Sequence, residues 1–173
     1  MQRMSSGPIQ LRLAQWQDAQ AMAQMSRDLI ESGLGWTYDA PRVARLIAHA
    51  ETLTLVACDR LGLAGFAILQ FSDEHAHLVL LAVQSRCQRQ GVARSLVNWL
   101  LDSARTAGIA ELSLELRAGN ASARAFYRAM GFSDAGLLPG YYRNREPALR
   151  MRRVLRSVDS EVPAWQAPTL RRP

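Results

Sequence analysis

The chain has 173 residues, enough for one domain with a genuine core. Apolar residues make up 49% and charged residues 21%, which excludes a disordered chain, and the apolar runs fall far short of the roughly 18 to 20 residues a membrane span needs. The net charge of +6, from 21 basic and 15 acidic residues, favours anionic partners such as phosphate-bearing ligands.

In chain order, the opening "MQRMSSGPIQLRL" lacks the continuous apolar stretch of a secretory signal, which predicts a cytoplasmic protein without membrane attachment. Residues 1–8 read as a loose end. The segment "AQWQDAQAMAQMSRDLIE" places Met22, Met25, Leu29 and Ile30 at helical spacing. After the turn-rich "LGWTYDAP", Asp39 suits an N-cap and Pro41 a first helical turn, with Val43, Leu46, Ile47 and Ala50 as the apolar stripe. Two strand-like runs, "TLTLVAC" and "AGFAILQF", are joined by "DRLG" as a hairpin, and "HAHLVLLAV" follows as a third strand. Alternation along that strand puts His75, His77, Val79, Leu81 and Val83 on one face.

Residues 92–107 give the strongest helical signal, with Ala93, Leu96, Val97, Leu100, Leu101 and Ala104 on one side and Gly108 as the stop. In "ELSLELR", Leu112, Leu114 and Leu116 alternate with Glu111, Ser113, Glu115 and Arg117. Asn120 caps a last helix striped by Ala123, Phe126, Tyr127 and Met130 and stopped by Gly131, and a strand pair around "GYYRNREPALRMRRVL" closes the domain. The ends, 1–8 and 156–173, are expected to be flexible, the latter for its three prolines and lack of periodicity.

The resulting order is two helices, a meander of strands, then strand–helix–strand–helix. Strands 75–83 and 111–117, joined by a full helix, must run parallel, while the first part of the sheet is antiparallel. The fold class is therefore α/β: a single domain with a mixed sheet flanked by helices, and a ligand crevice at the carboxyl ends of the central strands. Cys58 and Cys87 stand in no CxxC or metal-ligand spacing, so free thiols and no metal are expected.

The loop "QRQGVARSL" leads from a strand into the 92–107 helix. The first N–H groups of that helix have no partner inside it, and Gly91, Arg89 and Arg94 add close approach and positive charge, a constellation suited to a pyrophosphate. A tight strand-to-helix turn that holds no ligand satisfies the same residues. The loop lacks the glycine and lysine patterns of nucleotide hydrolases and dinucleotide binders.

Together, "Q88-x-x-G91-x-A93" and "N120-x-x-A123-x-x-x-Y127-x-x-x-G131-F132" resemble the acetyl-CoA signature of the GNAT superfamily of N-acetyltransferases. The resemblance covers residues 9–154 and implies an N-acetyltransferase domain whose central strands splay around acetyl-CoA as co-substrate. It implies that backbone N–H groups of Gln88, Arg89, Gly91, Val92 and Ala93, with Arg94, hold the pyrophosphate. By the same resemblance Leu81 and Val83 line the pantetheine arm, Asn120 adjoins the cofactor, and Tyr127 protonates the leaving thiolate. Tyr127 also reads as a half-buried core residue, and Asn120 as a cap alone.

The segment "LELRAGNASARAFYRAMGF" is similar to a block of the bacterial ribosomal-protein alanine N-acetyltransferases, which implies Glu115 as general base, with His77 as its competitor. Pro147 departs from that subfamily's acidic residue, and the usual acid on the strand entering the site is missing. Trp36, Tyr38, Tyr141 and Tyr142 are candidates to wall the acceptor pocket. The expected activity is acetyl transfer to a primary amine by direct attack, with a peptide or protein amino terminus as acceptor. A small amine, amino acid or antibiotic is the alternative, and a CoA-binding module without turnover is a third. No direct nucleic-acid contact is expected, since the basic excess lies largely in the C-terminal third with no interleaved aromatic motif. The family resemblance leaves monomer and homodimer open.

Overall fold

The computed structural model describes residues 8–156; the ends expected to be flexible, 1–8 and 156–173, lie outside the described residues except for their innermost residue. A seven-stranded mixed sheet runs in the order β1-β2-β3-β4-β5-β7-β6. Its strands are β1 (Gln10–Leu13), β2 (Thr52–Asp59), β3 (Gly62–Phe71), β4 (His75–Val83), β5 (Glu111–Arg117), β6 (Ser133–Tyr142) and β7 (Glu146–Val154). The helices are α1 (Ala19–Leu29), α2 (Ala40–Ala48), α3 (Val92–Thr106) and α4 (Ala121–Ala129). All neighbouring strands pair antiparallel except β4 and β5, which are parallel, so the α/β fold class with a mixed sheet is borne out. No helix among the described residues is long and apolar enough to cross a membrane.

Each face of the sheet has its own core. One buries Met22, Met25, Val43, Val56, Phe66, Ile68 and Leu80 under α1 and α2. The other buries Leu55, Leu69, Leu96, Leu100, Leu112, Leu114 and Phe132 under α3 and α4. Strand β3, covered on both faces, is buried continuously from Ala64 to Leu69, as a doubly covered strand must be.

Four expectations are corrected. Strand β1 was not predicted, because four residues at the sheet edge, including Arg12, are too short to show a period. Residues 16–18 form a 3-10 turn before α1, pinned where Asp18 accepts from Arg12 at 2.7 Å and from the Gln15 N–H. Leu29 is exposed and Ile30 lies past the helix end, while Ala50 is exposed beyond α2. The Asp39 cap is present, its carboxylate accepting the Arg42 N–H at 2.9 Å.

The fourth correction bears on the site. Leu69 pairs with Leu78 but Ile68 pairs with Leu80, so Val79 is an extra residue on β4, a β-bulge. The bulge exchanges the faces of the strand. Ala76 and Leu78 enter the α3 side of the core, whereas Leu80 and Ala82 enter the α1 side. His77 and Val79 therefore do not share a face with Leu81 and Val83. The parallel ladder ends at the same place: His75–Leu78 pairs with Glu111–Leu114, and beyond it β4 and β5 diverge.

Candidate active site

The divergence of β4 and β5 opens a cleft made of three adjoining cavities. The first, about 640 Å³, lies at the start of α3. The second, about 490 Å³, fills the gap between the strands. The third, about 350 Å³, opens under the α1–α2 loop and the β6–β7 turn. Leu81, Asn120, Ala123 and Tyr127 line both of the first two, and Ile30, Leu78, Glu115 and Tyr142 line both of the last two.

At the first cavity, Gly91 is the N-cap of α3 at φ +84°, with no capping side chain and no acid in the first turn. The first helical hydrogen bond is Ser95 N–H to Gly91 O, so the N–H groups of Val92, Ala93 and Arg94 precede the helical ladder. Arg89, also at positive φ, and Gly91 flank Gln90 in the loop. Leu81, Val83, Gln88, Arg89, Gly91, Val92, Ala93, Arg94 and Asn120 all line this one cavity. Gln88 differs from the others in that its backbone N–H reaches back to Ser85 O at 3.4 Å, while its side chain donates to Val83 O at 3.0 Å. Asn120 caps α4, accepting the Ala123 N–H at 3.0 Å.

Strand alternation directs backbone donors into the gap. Gln84 donates to Ala64 O on β3 at 2.8 Å, so the N–H groups of Leu81 and Val83 point the other way, to the side where β5 has diverged. Tyr127 sits where the first two cavities meet. Its ring packs edge-on against Phe126 and Phe132, at 5.1 and 5.6 Å between centroids. Burial pushes its phenol well above the ordinary range, so it carries its proton at neutral pH.

The third cavity holds the two candidate bases in contact. His77 Nε2 lies 3.0 Å from Glu115 Oε2, and His77 Nδ1 lies 3.2 Å from Ser113 Oγ. The Glu115 side chain is only 6% exposed, and Arg150 Nε donates to its other oxygen at 2.7 Å. Burial disfavours the carboxylate, but the bonds from His77 and Arg150 outweigh burial and hold its pKa below the usual range. Tyr38, Tyr141 and Tyr142 line this cavity, the last two edge-on at 5.0 Å. Tyr142 is pushed up to about 12, by burial first and then by Tyr141 and Glu115.

An uncapped helix start, a stretch of β4 that has left its parallel partner, a protonated phenol and a buried carboxylate thus follow one another along a single cleft. A model of the acetyltransferase (GNAT) family matches residues 15–132. The chain belongs to this family. It is 42% identical over 90 residues to a ribosomal protein bS18-alanine N-acetyltransferase of Salmonella typhimurium, a stretch covering 52% of this chain and 60% of that protein. It therefore spans less than two thirds of that relative's length. The crystal structure of the ribosomal-protein-S18-alanine N-acetyltransferase from Escherichia coli superimposes with a TM-score of 0.77 at 26% identity, covering 90% of this chain and 99% of that one. The fold is also that of PaiA N-acetyltransferase from Thermoplasma acidophilum, solved in complex with coenzyme A, with a TM-score of 0.71 at 18% identity over 85% of this chain and 99% of that one.

One sequence candidate falls outside this GNAT cleft. Trp36 is 42% exposed, donates its indole N–H to Tyr38 O at 3.1 Å, and lies under the Arg27 guanidinium at 5.4 Å. It props the loop from outside and is not among the residues that line the third cavity. Four residues of the site were not singled out from the sequence. Ser113 and Arg150 bond the His77–Glu115 pair. Glu31, a buried acid, accepts N–H bonds from Thr37 at 2.6 Å and from Tyr38, and so closes the α1–α2 loop on itself. Arg117 donates to Ile30 O at 3.0 Å and to Ser32 O, and pairs with Glu146, tying that loop and the β6–β7 hairpin to β5. Glu31 and Arg117 carry one sequence signal: each is a charged residue beside an apolar run, which must find a partner if the fold buries it.

Proposed function

We propose that the chain is an acetyl-CoA-dependent N-acetyltransferase of the cytoplasm that acetylates the amino terminus of a peptide or protein by direct attack. The observation that carries this reading is the continuity of the cleft, from the uncapped start of α3, past Tyr127, to Glu115. The residues fit the cofactor. A Cβ at Gly91 would meet nothing within 4 Å, Val92, Ala93 and Arg94 line the same cavity, and Arg89 and Arg94 add charge. Bound acetyl-CoA supplies an acyl group activated as a thioester.

In this reading the Leu81 and Val83 N–H groups hold the pantetheine arm, and an N–H near Leu81 polarises the thioester carbonyl. Glu115, which lines both the gap and the acceptor cavity, holds the incoming ammonium. His77, in contact with Glu115 and 39% exposed on its side chain, passes the amine's proton to solvent, and the two act as one proton-accepting pair. The amine nitrogen bonds to the carbonyl carbon, the carbon–sulfur bond breaks, and Tyr127 gives its phenolic proton to the departing sulfur. The names of the relatives support a protein amino terminus as acceptor. A small cationic amine is less well served. With Glu115 holding the reacting ammonium, the other acid of the third cavity, Glu31, already accepts hydrogen bonds from Thr37 and Tyr38 and offers no anchor for a second positive charge.

Calorimetry with acetyl-CoA, followed by thiol release against peptides and small amines, tests the proposal. Micromolar binding with release on peptides is the expected result. Release on small amines alone would overturn the acceptor, and absence of binding would overturn the whole reading.

A further inference from the structure

Resting on the reading of this cleft as a peptide amine acetyltransferase, we propose that it selects amino termini followed by acidic residues, recognised by Arg143, Arg150 and Arg42. The acids around the acceptor cavity are engaged inward. Glu31 accepts from Thr37, Tyr38 and Ser26, Glu115 from His77 and Arg150, and Glu146 from Arg117 at 3.3 Å. Asp39 caps α2.

Two arginines beside this cavity, Arg143 and Arg42, are not balanced in this way. Arg143 is exposed, lines the cavity, and has no acidic partner among the described residues. Arg42 lies over the ring of Tyr38, a wall residue, at 4.5 Å, and likewise has no acidic partner among the described residues. Arg150 bonds Glu115 through Nε, and its side chain is 48% exposed, so the rest of its guanidinium is open to solvent beside Glu115.

Arg143 is also held in place. It sits in the β6–β7 turn at φ +51°, followed by Asn144 at φ +56°. Its guanidinium lies against Gly35 of the α1–α2 loop, where a Cβ would fall 2.7 Å from Nη1. The missing Cβ lets one charge bridge the two segments that form the lips of the cavity. A planar guanidinium matches a carboxylate in a two-point fork, and the chain uses arginine for all 21 of its basic residues. An acceptor with acidic side chains behind its terminal amine meets these forks. One with arginines there meets like charge and no unengaged carboxylate.

The test uses three peptides that begin with alanine and carry glutamate, alanine or arginine at the second and third positions. Thiol release with acetyl-CoA gives kcat/KM for each, and the chain has no lysine side chain to acetylate in the background. The acidic peptide should exceed the arginine peptide by roughly tenfold at low salt, and the ratio should shrink as salt rises. Arg143→Glu should shift the ratio several-fold toward the arginine peptide, and Arg143→Gln should fall between. Equal or better turnover of the arginine peptide by the unsubstituted enzyme overturns the inference and leaves the acetyltransferase reading standing. Turnover of none of the three despite acetyl-CoA binding overturns the peptide reading, and the inference with it.

Discussion

Gly91 allows backbone strain to be separated from charge at one position of the proposed cofactor cradle. Its φ of +84° is left-handed, and an added Cβ would touch nothing within 4 Å. Gly91→Ala should therefore cost only the left-handed backbone, about 1–2 kcal/mol of stability, with no clash. Gly91→Glu carries the same strain and adds a negative charge where a diphosphate would lie. At roughly 5 Å, each like-charge pair costs about 0.8 kcal/mol at the dielectric of water and about 3.3 kcal/mol at an effective value near 20. Two phosphate charges double this, so the smallest expected loss is about 1.7 kcal/mol, or roughly 15- to 20-fold in Kd. Calorimetry with coenzyme A on both variants, beside thermal melting, reads the two effects apart. Both variants should melt lower by similar amounts, with Gly91→Ala binding coenzyme A within about threefold of the parent. If Gly91→Glu bound coenzyme A as well as Gly91→Ala, no diphosphate would sit at the start of α3, and the cradle argument would be wrong.

Tyr127→Phe should leave coenzyme A binding in place and lower kcat by roughly 100-fold or more in a single-turnover assay. Because burial raises the Tyr127 phenol, it keeps its proton through ordinary assay pH, so no alkaline loss of kcat below pH ~10 should trace to it. Glu115→Gln should lower kcat/KM and free His77 and Arg150. The folded Glu115 pKa lies below the ordinary value of about 4.3, so its stabilisation is complete above that pH and is lost as pH falls through the lower folded value. The melting-temperature gap between parent and Glu115→Gln should accordingly close on acidification, and a gap that widened would contradict the sign. Arg117→Ala leaves the carbonyls of Ile30 and Ser32 without their donor, at a cost of about 1–3 kcal/mol. It should raise the acceptor KM with coenzyme A affinity unchanged, and a shift in coenzyme A affinity instead would place the loop on the wrong side of the cleft.

The parts of this protein legible in its sequence are those governed by local rules. The α3 stripe, the Asp39 and Asn120 caps and the alternation of β5 each follow from residues within a few positions of one another, and each stands in the structure. Edge strand β1 was illegible because its pairing partner, Leu55–Cys58, lies more than forty residues away. Aromatic character alone does not distinguish Trp36, stacked under Arg27, from Tyr38, Tyr141 and Tyr142, which line the third cavity. The Val79 bulge left no mark in a run of apolar residues, since burial still alternates along the strand while the face that each buried residue serves is exchanged.

By itself, the sequence determined the order of elements from α1 onward and the uncapped glycine-led start of α3, and it put Glu115, His77 and Tyr127 forward as candidates. Only the tertiary structure decided that Glu115 and His77 are one pair, that Ser113 and Arg150 bond it, and that β4 and β5 part at Leu78 to open the cleft. The reason is physical. Propensity, capping and periodicity act over a few residues and are written in the local string. Register, bulges and ion pairs need partners that the local string does not name, 36 residues apart for His77 and Ser113 and 85 for Arg117 and Ser32, and exist only once the two faces of the sheet have been packed.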